Sequence, residues 1–108
     1  MDEPTLVFHL NSSGRILHME SLGGMVPYKP ISFCLGRTLE EITPDDRKTV
    51  LKWYNEIRSV LANKHNYSYF DYILDNTVYI VRMVYLNKNT VLAVVQYPPD
   101  HHVDMNSN

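Results

Sequence analysis

Residues 67–97, YSYFDYILDNTVYIVRMVYLNKNTVLAVVQY, decide the fold of this chain. Two turn signals, Asp75-Asn76 and Asn87-Lys88-Asn89, cut the stretch into extended runs at 67–74, 77–86 and 90–97. β-Branched and aromatic residues fill all three, as a pleated and packed surface requires. A two-residue Asp-Asn turn with positive φ at both positions fixes the first register. It sets Leu74 opposite Thr77, Tyr72 opposite Tyr79 and Phe70 opposite Val81. The second connection is ambiguous by one residue, so the inner face of the last run stays unassigned.

The block is apolar on both faces. In 77–86, Tyr79, Val81, Met83 and Tyr85 point one way, and Val78, Ile80, Val84 and Leu86 point the other. Only Arg82 interrupts the second set, with Asp71 diagonal to it and near enough to pair. A sheet wet on one side would alternate apolar and polar residues. This sheet therefore needs two covers.

Working outward, residues 5–10 alternate with Leu6, Phe8 and Leu10 on one face, and Asn11-Ser12-Ser13-Gly14 is a turn signal. Residues 15–19 resume an extended pattern, so the chain opens with a β-hairpin. Gly23-Gly24, Pro27 and Pro30 allow only irregular chain across 21–33, with room for one helical turn. Residues 36–42 suit a short helix. A longer helix over 44–64 is expected next, with Thr43 as N-cap, Pro44 in the first turn and Asp46 completing a capping box. Asp45 and Asp46 favour the positive end of its dipole. Val50, Tyr54, Ile57 and Leu61 form its apolar stripe, widened by Leu51, Trp53 and Val60.

Composition narrows the class of protein. A chain of 108 residues suits one domain with its own core: a flank at 1–4, the domain at 5–97 and a polar tail or linker at 98–108. Net charge is −2 with no basic run, which argues against a nucleic-acid partner. One cysteine, Cys34, permits no internal disulfide and points to a reducing, cytoplasmic setting. No apolar run is long enough to span a membrane.

Three stretches carry a resemblance to a known family. Residues 8–16, Phe-His-Leu-Asn-Ser-Ser-Gly-Arg-Ile, look like its opening hairpin with a turn glycine. Residues 35–46 read Leu-Gly-Arg, then Thr-Pro-Asp-Asp, like its entry to the main helix. Asp75-Asn76 followed by Tyr79 is similar to its usual Asp-Gly hairpin, with Asn in the glycine position. In this order and spacing they resemble a PAS domain over residues 5–97. The resemblance implies an α+β fold: a five-stranded antiparallel sheet with a main helix and short helices on one face. It also implies a sensory or dimerisation module of signalling proteins, such as the histidine kinases of two-component systems, with ligands held between main helix and inner sheet face.

The expected ligand face carries Phe70, Tyr72, Tyr79, Val81 and Met83, opposed by Trp53, Tyr54 and Ile57; the bland alternative is a packed core without ligand. The cofactor is not named by the sequence. Flavin photosensors of the family place a reactive cysteine three residues after the motif glycine, where this chain has Leu39, so a cysteinyl-flavin is not expected. Haem-binding members use a main-helix histidine, which 44–64 lacks; His65 at the helix exit is a poor substitute. Cys34 reads as a small buried hydrophobe. His9 and His18 can meet across the first hairpin, and His101-His102 are too sparse for a metal site.

No nucleophile triad, phosphate loop or metal cluster appears in the sequence. Asp71 among tyrosines is the one enzymatic candidate, an isomerase-like base, but strand alternation puts Tyr72 on the opposite face. The reading is non-enzymatic. The outer face, Ile73, Val78, Ile80 and Val84, would form a patch that soluble monomers rarely expose. A homodimer partner or an adjacent signalling domain is therefore expected there, in a longer chain whose output domain follows. A ligand-free dimerisation scaffold is the alternative.

Overall fold

A computed structural model describes residues 3–44, 46–74 and 76–98. Five strands form one antiparallel sheet: β1 (Thr5–Asn11), β2 (Ile16–Leu22), β3 (Tyr67–Leu74), β4 (Thr77–Asn87) and β5 (Thr90–Gln96). Their spatial order is β2-β1-β5-β4-β3, so the opening hairpin docks against the last strand of the meander. Three helices, α1 (Ile31–Cys34), α2 (Leu39–Ile42) and α3 (Arg47–Ala62), fill the connection from β2 to β3. The fold is α+β, as expected. No helix among the described residues is long and apolar enough to cross a membrane.

Turn chemistry sets each register. At the first hairpin, Asn11 Oδ1 accepts from the backbone N–H groups of Ser13 and Arg15 at 2.9 and 3.0 Å. Gly14 then takes φ 75° in a place where a Cβ would collide with the Tyr54 ring. Asn76 has φ 65°, and Tyr72–Tyr79 and Phe70–Val81 pair as expected; Asp75 lies outside the described residues. The ambiguous connection resolves through pairing of Asn87 with Thr90 and a register shift between Tyr85 and Asn87. That turns Val91, Ala93 and Val95 inward, all fully buried.

The main helix begins later than the sequence suggests. Thr43 is the C-cap of α2: its hydroxyl, at 2.9 Å, and its backbone N–H both donate to the Leu39 carbonyl, and α3 starts only at Arg47. The N-cap of α3 is Asp46, and its side chain makes no capping hydrogen bond. The short helix also shrinks to Leu39–Ile42. Thr38 caps it in a reciprocal box: the Thr38 N–H donates to Glu41 Oε1 at 2.8 Å and the Glu41 N–H to Thr38 Oγ1 at 3.3 Å. Those backbone and hydroxyl contacts hold the exposed Glu41 carboxyl below its ordinary range.

The motif at 36–39 is stitched to the first hairpin. Ile16 N–H donates to the Arg37 carbonyl, Gly36 N–H to Ile16 and Leu39 N–H to Gly14, at 2.9, 2.9 and 3.0 Å. Arg37 lies over the Phe33 ring at 4.2 Å and donates from Nε to the Phe33 carbonyl at 2.7 Å. These bonds fix α1 and α2 over the β1–β2 end of the inner face, while α3 packs on β3, β4 and β5.

Candidate functional site

Between α3 and the inner sheet face, the side chains separate into a closed half and an open half. Ile57, Phe70, Val81 and Met83 belong to the buried core and lie off the cavity. Trp53, Tyr72 and Tyr79 line the cavity, a space of about 60 Å³ under the first half of α3. Tyr54, expected on the same face, instead packs on the turn at Gly14. Leu6 and Phe8 of β1, Met19 of β2 and Leu74 of β3 complete the sheet side. The helix side adds Leu39, Ile42, Thr49 and Val50, and the irregular chain adds Val26, Tyr28 and Lys29.

Trp53 organises the aromatic wall. It is nearly buried and meets Phe8, Phe70 and Tyr72 edge-on, with centroids 6.0, 5.7 and 5.5 Å apart. Tyr72 stacks on Tyr79 at 5.3 Å, and Tyr79 on Tyr97 at 5.7 Å. Edge-on and stacked contacts are the favourable arrangements of ring quadrupoles. Yet neither the Trp53 indole N–H nor the Tyr72 hydroxyl makes a hydrogen bond within the described protein. Asp46 stands where the cavity meets a more open cleft bordered by Tyr28, Pro44, Ile73 and Asn76. Burial first, then the neighbouring Tyr79 and Asp46, push the Tyr72 phenol well above its ordinary value, so it stays neutral.

Cys34 is buried on the cavity wall, and its thiol donates to the Lys29 carbonyl at 3.6 Å. Burial raises its pKa, while Lys29 and Arg37 pull the other way. His65 is exposed beyond the end of α3, its backbone N–H bonded to Asn63, and is not part of the cavity lining.

The outer face departs from expectation in two ways. Asp71 and Arg82 do not pair: Arg82 donates to Gln96 Oε1 at 2.9 Å and sits over the Tyr69 ring at 5.2 Å. Gln96 in turn donates to Thr5 Oγ1 at 3.1 Å, so the guanidinium joins a polar run across the sheet. Ile80 is the second correction. Asp71 and Gln96 are its cross-strand neighbours, and the Arg82–Gln96 bond ties two side chains that flank it. It is only 5% exposed, whereas Ile73, Val78 and Val84 are 59%, 42% and 37% exposed. Asp71 itself is exposed on this face, across the sheet from Tyr72.

His9 and His18 pair directly across β1 and β2, ring centroids 4.8 Å apart, and His18 Nε2 lies 3.5 Å from Glu20. Among the described residues no group of three or more His, Cys, Asp or Glu could hold a metal. His101-His102 lie outside those residues.

The sequence reading missed the cavity's outer wall. Val26, Tyr28 and Lys29 sit in chain without periodicity, and Asp46 reads as a simple cap.

No family model and no curated protein matches the chain. Among solved structures, it is similar to a domain of an HTR-like protein from Haloarcula marismortui ATCC 43049. The TM-score is 0.67 at 15% identity, covering 85% of this chain and 95% of that one. At this identity the likeness is one of fold: a five-stranded antiparallel sheet with helices packed on one face.

Proposed function

We propose that this chain is a sensory module of a signal-transduction protein, acting by binding a small molecule between α3 and the inner sheet face. One observation carries the reading. Asp46, Trp53 and Tyr72, whose side-chain polar groups have no hydrogen-bond partner among the described residues, all line one mainly apolar cavity. A mainly apolar pocket with a few polar groups on its wall is the usual form of a ligand site. The shared fold and the PAS-like motifs support the assignment to signalling.

Binding against Trp53 would move α3 relative to the sheet, favouring one of two packings. The outer face is the proposed output, through Ile73, Val78 and Val84 in contact with a second copy or a neighbouring domain. Catalysis has no place in this reading, because Asp71 stands on the exposed face away from the cavity.

Native mass spectrometry of freshly purified protein tests the proposal. A retained small molecule, lost when Trp53 is replaced by Ala, is expected. A ligand-free spectrum, unchanged after incubation with cell extract, would favour the dimerisation scaffold.

A further inference from the structure

We infer that the cavity takes a small organic ammonium ion, its charge paired with Asp46 and its apolar body held by Trp53 and Tyr72. The inference rests on the ligand-binding reading above and supplies the chemistry of that ligand.

Asp46 is the N-cap of a sixteen-residue helix, a position where a carboxylate ordinarily accepts backbone N–H bonds. Here it makes none, and it has no ion pair among the described residues. Instead it lines both the cavity and its mouth. An unpartnered carboxylate at the mouth of an aromatic-walled cavity is a natural counterion for a cation.

The walls beside it suit the same guest. Trp53 and Tyr72 meet almost perpendicular, at 78°, and both line the cavity. Ring faces attract ammonium groups, Trp most strongly. The neutral Tyr72 hydroxyl adds an acceptor.

Lys29 is the other charged group on the lining. Its ammonium already lies over Tyr28 and Phe33, 5.4 and 5.7 Å from the ring centroids. Cys34 is neutral, with its thiol turned to a carbonyl. Of these two lining charges, Lys29 has aromatic partners and Asp46 has no side-chain partner among the described residues.

Size narrows the class further. About 60 Å³ corresponds to roughly four to six water sites. A body of about that many heavy atoms fits, which makes tetramethylammonium and n-butylammonium suitable probes.

The test is a nitrogen-15 NMR titration of the whole 108-residue chain with tetramethylammonium, n-butylammonium, n-butyrate and n-butanol. Both ammonium ions should shift the Trp53 indole resonance saturably. Asp46→Asn should weaken them about tenfold or more, as loss of one charge-assisted contact does, and Lys88→Gln, in the exposed turn between β4 and β5, should not. Asp46→Glu serves as a second variant if the amide perturbs the fold, and should retain binding. Saturable binding of butyrate or butanol alone would overturn the ammonium assignment while leaving the ligand-binding reading intact. Ammonium binding indifferent to Asp46→Asn overturns the inference, as does the absence of saturable binding by any probe.

Discussion

Tyr72 of β3 and Tyr79 of β4 stand directly opposite one another and stack, their ring centroids 5.3 Å apart and their planes 25° from parallel. Trp53 meets the first ring edge-on from α3, and Tyr97 stacks on the second beyond the end of β5. Helix, hairpin and last strand thus share one aromatic array beside the cavity. Four expectations follow from it and from the faces around it.

Tyr72 should make the protein sensitive to alkali. Its folded pKa lies above the ordinary phenol value of 10.0, because burial disfavours the phenolate. The unfolded chain therefore ionises first. The contribution is complete below pH 10 and is lost as pH rises toward the folded value. Tyr72→Phe should flatten the fall in stability above pH 10, as followed by urea unfolding at a series of pH values.

Trp53→Ala should cost about 3–5 kcal/mol, the range for removing a large buried ring. Trp53→Phe should cost clearly less, since one ring is kept. Because Trp53 is the only tryptophan, far-UV circular dichroism should report the unfolding.

Gly14 and Tyr54 should be coupled. Gly14→Ala places a methyl against the Tyr54 ring at a backbone with φ 75°, and a destabilisation of about 1–3 kcal/mol is expected for such strain. In a Tyr54→Ala background the steric share should vanish and only the backbone share remain. A double-mutant cycle measures the difference.

On the outer face, Val84→Glu and Ile73→Glu should leave the fold intact and abolish association. Size-exclusion chromatography with light scattering would show a self-associating wild type and monomeric variants. Ile80→Glu should instead unfold the chain, because that side chain is buried within the monomer.

The meander was legible because a two-residue turn fixes the face of every residue in both strands, which put Tyr72 and Tyr79 together in advance. The start of α3 was not. Thr43-Pro44 has the chemistry of a helix start, but Thr43 closes α2, its N–H and hydroxyl both bonded to the Leu39 carbonyl, and α3 starts only at Arg47. Arg82 shows a related limit. Register brought Asp71 within reach, yet a planar guanidinium also finds Gln96 and the Tyr69 face, which belong to other positions on the sheet. For the cavity, the strands and helix supplied Trp53, Tyr72 and Tyr79. Tyr28 and Lys29 come from Gly- and Pro-punctuated chain, where no period marks a face.

The most direct test of the central claim, that this cavity is a ligand site and not a loosely packed core, uses the single tryptophan. The Trp53 indole resonance and melting temperature are compared between freshly purified protein and protein unfolded, dialysed and refolded. A shifted indole signal and a lower melting temperature after stripping are expected, both restored by the extracted small molecules. Superimposable spectra and equal melting temperatures, with nothing recovered in the extract, would contradict it.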